Sequence, residues 1–320
     1  MFLSPLLALA GCVAFALLGC GGVSEQALHA SVNAFESQQG HSNPTPIPSP
    51  NSKCGDPTAS LRPRGPLPAP GKMPAGTFMR TIQDRGRLIV GVDQNSLLLS
   101  YLNPFDGQIE GFDIDMLHQV AKALLGSPNA IEFKAISTAQ RVPMVESESV
   151  DIVADAMTIN CARAKQVAFT TVYYDAGQRI LVPSNSRVRG IRDLAGRRVC
   201  AVVSSTSIEN IRRLAPKAIP HPVPLRTDCL VALQEGKVDA ISTDDAILAG
   251  LKAQDPFTTV VGSPLAPQPY GLAISKQHPD FVRFVNAVLA AERADGGWAA
   301  SYAHWVGTPV PNPPTAHYAS

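Results

Sequence analysis

The stretch GRLIVGV at residues 86–92, followed after a polar interval by FDIDMLHQVAKALL at 112–125, decides the fold class. The first is a short apolar run between turn residues, the pattern of a buried strand. In the second, Phe112, Met116, Val120, Ala123 and Leu124 fall at helical spacing, and Gly126 stops the helix. Outward from this pair, 130–136 reads as a strand, 140–147 as a short helix and 150–154 as a strand. After 180–183 the pattern restarts: a turn and strand over 193–203, a loop at 204–207, then a helix from Ile208. A helix over 229–236, a strand over 238–242 and a helix over 244–252 follow. Residues 270–275 read as a crossing strand and 280–293 as a helix packing back. A last helix holds Trp298, Tyr302 and Trp305. Strands alternating with helices predict α/β layers with parallel strands, here in two units of similar plan.

The chain has 320 residues, 45% apolar and 17% charged, enough for two domains with sizeable cores. With 27 basic and 26 acidic residues the net charge is +1, which argues against a sequence-wide affinity for nucleic acid or an anionic membrane surface. The histidines are scattered, no Gly-rich phosphate loop follows a strand, and nothing resembles a nucleophile elbow. No metal site and no cofactor are expected.

The first twenty residues, MFLSPLLALAGCVAFALLGC, are apolar and run into a cysteine. They are too short for a comfortable transmembrane helix and read as a signal h-region. LLGC at 17–20 looks like a lipobox, with cleavage after Gly19 and lipid on Cys20. LAGC at 9–12 fits the same pattern but would leave too short an h-region. No Lys or Arg precedes Lys53, so the positive n-region is missing. An uncleaved anchor helix is the alternative, and it too places the body outside. Residues 20–72 are Pro- and Ser-rich, with proline at 44, 46, 48 and 50, a composition that favours extended chain and reads as a lipidated flexible tether. The folded body begins near Met73, and a loose Pro-rich tail runs over 308–320. Cys54, Cys161, Cys200 and Cys229 remain in the exported part. They suggest two disulfides out of three possible pairings, and the pairing expected is Cys54–Cys161 with Cys200–Cys229; free buried thiols are the alternative.

Four segments in order carry a family resemblance: GRLIVGV from 86; GFDID from 111; VDIVADAMTINCAR at 150–163 with FT from 169 and YY from 173; and DLAG from 193 with GKVDA from 236. Over about 73–307 the chain resembles the bacterial extracellular solute-binding proteins, family 3, which are polar amino-acid binding proteins of ABC transporters. Within them the likeness is to glutamine- and glutamate-binding members. The resemblance implies the type II periplasmic-binding-protein fold, two α/β lobes joined by two crossing hinge strands with the ligand in the cleft. Lobe 1 is expected at 73–182 plus 272–307 and lobe 2 at 183–271, with leader 1–19 and tether 20–72 ahead of them.

In the resemblance Arg163 takes the ligand α-carboxylate with Thr158, and Ala156 offers its backbone C=O to the ammonium. A guanidinium gives two parallel charge-assisted bonds, and a helix start supplies free N–H donors. An ordinary surface arginine there would oppose the helix dipole. Asp244 is the expected anion for the ammonium; Asp245 is the alternative by one register step, and a helix N-cap is the bland reading of Asp244. Ser205 and Thr206 sit in the loop that closes on the carboxylate from the second lobe, where Ser204 replaces the glycine usual in the family; plain N-capping is the competing explanation. Thr138 and Arg141 align with residues that hold a distal carboxylate, against a structural role for Arg141 at a helix start. Asn95, beside Gln94 and Ser96, suits an amide or carboxylate ligand, and Asp93 is a strand-end residue near the site. Tyr173, Tyr174, Trp298 and Trp305 read as packing.

These residues point to a lipid-anchored extracytoplasmic binding protein, a monomer, for glutamate, aspartate, glutamine or asparagine. It would present its ligand to a membrane ABC permease or to a membrane sensor or receptor. The alternative is an enzyme of the same fold, a cyclohexadienyl or arogenate dehydratase. That chemistry needs a general acid in the cleft, and the visible cleft carboxylate, Asp244, is already assigned to an ammonium.

Overall fold

The computed structural model of the chain describes residues 54–319; the expected leader, Cys20 and residues 20–53 of the expected tether lie outside the described residues. Along the chain come α1 (Phe78–Arg85), β1 (Leu88–Val92), β2 (Asn95–Ser96), β3 (Ser100–Leu102), β4 (Ile109–Glu110) and α2 (Phe112–Leu125). Next are β5 (Ile131–Ala135), α3 (Arg141–Glu146), β6 (Ile152–Ala154), α4 (Cys161–Ala164), β7 (Ala168–Phe169) and β8 (Tyr174–Pro183). Then β9 (Arg198–Val202), α5 (Thr206–Leu214), β10 (Ile219–Val223), α6 (Arg226–Gln234), β11 (Ala240–Asp244) and α7 (Asp245–Gln254) follow. The chain continues through β12 (Thr258–Tyr270), β13 (Ala273–Ile274), α8 (Pro279–Asp295) and α9 (Gly297–Trp305). Among the described residues, no helix is long and apolar enough to cross a membrane.

Two five-stranded sheets form two lobes. The first has the order β5-β1-β6-β13-β7, with β5, β1 and β6 parallel. The second has the order β10-β9-β11-β8-β12, with β10, β9 and β11 parallel and β8 and β12 antiparallel. In β1, Leu88, Val90 and Val92 are fully buried, as its unbroken apolar pattern requires. Helix α2 begins with Asp113 and Asp115 in its first turn, which suits the positive end of the dipole. It ends at Gly126, whose φ of 83° is the left-handed cap that glycine adopts without steric cost. Its buried face, Phe112, Met116, Val120 and Leu124 among others, joins the core that includes Phe281, Val285 and Leu289 of α8.

Three expectations about boundaries change. The second sheet takes the chain from Tyr174, because β8 pairs with both β11 and β12 along its length; the expected lobe boundary after 182 falls at the far end of that strand. The long crossing strands are β8 and β12, while Ala273 and Ile274 return to the first sheet. Residues 54–62 and the C-terminal segment are also held to the body rather than loose. Ser60 N–H donates to His317 C=O and Ala319 N–H to Ser60 C=O. Ser60 Oγ donates to Phe169 C=O at 2.6 Å, and Asn286 Nδ2 donates to Ser60 Oγ and Leu61 C=O. Composition cannot foretell this, because it depends on partners more than a hundred residues away. Disulfides join Cys54 to Cys161 and Cys200 to Cys229. The first ties the early segment to the start of α4; the second ties β9 to α6.

Candidate functional site

The lobes face each other across the C-terminal ends of their parallel strands, where α/β sheets place ligands. A cavity there is lined by Thr138, Arg141, Ala156 and Thr158 from the first lobe. The second contributes Val202, Ser205, Thr206, Ser207, Arg226, Thr243, Asp244 and Ile247. With the lobes in this arrangement the volume open inside it is about 20 Å³, room for about one water, so the two walls lie close together across the site.

On the first lobe the chain leaves β6 through Asp155 and Ala156. Ala156 has φ 44°, a conformation a side chain disfavours. Asp113 of α2 holds it there: Oδ2 accepts the Ala156 N–H at 2.9 Å and Oδ1 accepts the Tyr173 hydroxyl at 2.8 Å. Burial pushes Asp113 up to about 6. Thr158 then faces the cavity, and Asn160 caps α4 by accepting the Arg163 N–H. The Arg163 guanidinium lies behind the wall, with Nη1 donating to Thr158 C=O at 2.7 Å and Nη2 to Ser204 C=O of the other lobe at 3.4 Å. Burial, and next the like charge of Arg141, push Arg163 down to about 9; an arriving carboxylate would reverse that shift. Arg141 is both structural and cavity-facing. Nε donates to Thr138 C=O and Nη1 to Asp155 C=O, each at 3.0 Å, and burial lowers its affinity for its proton despite Asp155.

On the second lobe Ser204 takes φ 59°, so the left-handed turn forms without the family's glycine. Ser205 is the N-cap of α5: Oγ accepts the Ile208 N–H at 3.2 Å and donates to Val202 C=O at 2.6 Å. Its hydroxyl is thereby engaged in capping, although the residue lines the cavity. Thr206 Oγ1 lies 3.3 Å from Thr158 Oγ1 across the cleft and donates to Gln268 Oε1 at 2.8 Å. The first N–H groups of α5 have no partner within the helix and suit an anion.

Asp244 stands at the N-cap position of α7, yet its carboxylate makes no capping bond. Tyr270 donates its hydroxyl to Oδ2 at 2.7 Å, and Oδ1 is buried without a hydrogen-bond partner. Burial pushes the group up to about 6, opposed by Tyr270 and Arg226. Asp245 Oδ1 instead accepts the Ala246 N–H, and the residue is not on the cavity wall. Asp93 and Asn95 are not on the wall either. Asp93 accepts from Asn95 N–H and Nδ2, from Ser96 Oγ and from the Arg226 guanidinium.

Arg226 is the charged cavity residue that the sequence reading leaves out, beside Val202, Ser207, Thr243 and Ile247. It opens α6, lines the cavity and is buried. Its Nη1 meets Asp93 and donates to Ser96 Oγ at 2.8 Å, and Nη2 lies 2.7 Å from Asp155 Oδ1. Burial alone would weaken its hold on its proton, but Asp155 and Asp93 raise it above the ordinary arginine range. One signal was available: an arginine in a helix first turn opposes the dipole, the same oddity that marks Arg163.

The two lobes, the polar cavity between them and its unpaired Asp244 oxygen define a protein that closes on a small charged solute. The profile of the bacterial extracellular solute-binding proteins, family 3, matches residues 88–308, and the chain belongs to that family. It is 35% identical over 229 residues to the ABC transporter glutamine-binding protein GlnH of Bacillus subtilis (strain 168), covering 71% of this chain and 84% of that one. It is 37% identical over 211 residues to the glutamine-binding protein of Geobacillus stearothermophilus, covering 65% and 80%. Among solved structures, the P235GK mutant of ArgBP from T. maritima superposes with a TM-score of 0.67 at 26% identity, covering 71% of this chain and 98% of that one. These relatives are named as binding proteins, not enzymes.

Proposed function

We propose that this chain captures one amino acid whose side chain ends in a carboxylate or carboxamide: glutamate, aspartate, glutamine or asparagine. The observation that carries the reading is the buried, unpartnered Asp244 Oδ1 on the cavity wall, since a buried carboxylate oxygen calls for a cationic donor such as the ligand ammonium. Thr158, Thr206, the start of α5 and Arg163 take the α-carboxylate. Ala156, fixed by Asp113, turns its C=O to the ammonium. Arg141 faces the side-chain end, where a carboxylate or carboxamide oxygen accepts from its guanidinium; the names of the glutamine-binding relatives support that class. The closed form is presented to a membrane partner, an ABC permease or a receptor.

A thermal-shift screen over the twenty amino acids tests the reading. A ligand at 100 times its dissociation constant adds about 2.7 kcal/mol of stability. Glutamate, aspartate, glutamine and asparagine are expected to stabilise the chain, and leucine and arginine to leave it unmoved. A screen in which none of the four shifts the transition would sink the ligand class.

The family is extracellular by its description, and we place this chain on the outer face of the membrane through lipid on Cys20. Detergent partitioning of the chain expressed in a lipoprotein-processing bacterial host checks this. The wild type is expected in the detergent phase and Cys20→Ala in the aqueous phase; equal partitioning would refute the anchor.

A further inference from the structure

The segment 93–98, between β1 and β3, carries more interlobe contact than its place outside the cavity wall requires. Its base is tied to α2: Phe112 N–H donates to Leu98 C=O and Asp113 N–H to the C=O of Leu99 just beyond it, both at 2.9 Å. From that base it meets the second lobe at two places. At one, Asp93 and Ser96 receive the Arg226 guanidinium, whose other arm reaches Asp155 of the same lobe. At the other, Leu97 lies against Gly250 in the middle of α7. A Cβ placed on Gly250 would stand 2.3 Å from the Leu97 carbonyl oxygen, far inside contact distance. Gly250 therefore admits a first-lobe backbone that any other residue would hold off.

We propose that Arg226 and Gly250 form a clasp for the 93–98 segment, and that Arg226 is a positioning residue that couples the closed arrangement to the cavity. The second-lobe side of the clasp is fixed by chemistry already on that lobe, because the Cys200–Cys229 disulfide pins α6 one turn beyond Arg226. A guanidinium shared by two carboxylates is bidentate recognition that a lysine cannot reproduce. Both carboxylates are buried when the lobes meet, so without Arg226 closure would bury them uncompensated. The clasp lies beside the ligand rather than on its side chain, so its loss weakens all ligands alike. It also holds part of the unliganded population closed.

The inference rests on the binding-protein reading for its affinity readout only. Wild type, Arg226→Ala, Arg226→Lys and Gly250→Ala are compared by small-angle scattering without ligand and by calorimetry with glutamate, aspartate, glutamine and asparagine. Gly250→Ala keeps the test sound if Arg226→Ala folds poorly, because alanine is the better helix former. The expected result is a larger unliganded radius of gyration in all variants. Affinity is expected to fall about tenfold or more in Gly250→Ala and about 30-fold or more in Arg226→Ala, by the same factor for every ligand that binds, with Arg226→Lys in between. If the wild type binds none of the four, the ligand proposal fails and the scattering comparison still judges the clasp. Equal radii across the four proteins, or an affinity loss confined to one side-chain chemistry, would overturn it.

Discussion

Replacing Arg163 with alanine is expected to weaken amino-acid binding by about 30-fold to several thousand-fold, the range for removing one member of a buried charged pair. A guanidinium has five N–H donors, and the structure commits one to Thr158 C=O and one to Ser204 C=O. The proposed function turns the remaining donors toward a carboxylate held by Thr158, Thr206 and the start of α5. The two committed bonds matter as well, because they join the first-lobe site segment to the left-handed turn of the second lobe. On that proposal Arg163→Ala removes the ligand's charge partner, and it leaves two carbonyls short of a donor. Arg163→Lys keeps the charge but not the fork, so it is expected to recover only part of the loss. Calorimetry with the amino acid that gives the largest thermal shift reads the effect. Near-wild-type affinity in the alanine variant would remove Arg163 from the site.

The contrast between Arg163 and Arg226 shows what the sequence carries and what it withholds. Arg163 follows Thr158 within one continuous segment, so strand, turn, helix start and charge are read together. The alternation that defines the α/β lobes is legible for the same reason: α2 spans 112–125 as its apolar spacing requires, and β1 is the apolar run at its core. Arg226 meets Asp93 and Asp155, residues 133 and 71 positions away, and nothing local to 226 encodes those partners. The same limit hides the fate of Asp93. A polar strand-end residue looks like a ligand contact until the opposing lobe places a guanidinium on it. The N-terminal segment is illegible for a third reason. Its Pro- and Ser-rich composition says how little core it can build, yet Ser60 needs no core of its own, only Phe169, Asn286 and His317.

Asp244→Asn is expected to match Arg163→Ala in size at pH 7.5 and to differ from it in pH dependence. Asparagine keeps the shape and can still accept from Tyr270, so what it removes is the negative charge facing the cavity. Burial holds Asp244 up at about 6 in the unliganded site, and an ammonium beside it would bring that value down again. The sign follows from linkage. Above about pH 6 the carboxylate is already ionised and binding is at full strength. As pH falls below 6 the empty site takes up a proton that the ligand must displace, so affinity drops, by about tenfold between pH 7.5 and 5. Asp113, also near 6 through burial, titrates in the same window and acts on Ala156, so the wild-type slope contains both groups. Subtracting the slope of Asp244→Asn isolates the share that belongs to the ammonium partner. Affinities of the two proteins at pH 7.5 and 5 are therefore expected to converge as the pH falls. The wild type loses about tenfold at the lower pH, whereas the asparagine variant, weak at both, keeps only the part of the slope that Asp113 supplies. Parallel slopes in the two proteins would place the ammonium on some other group.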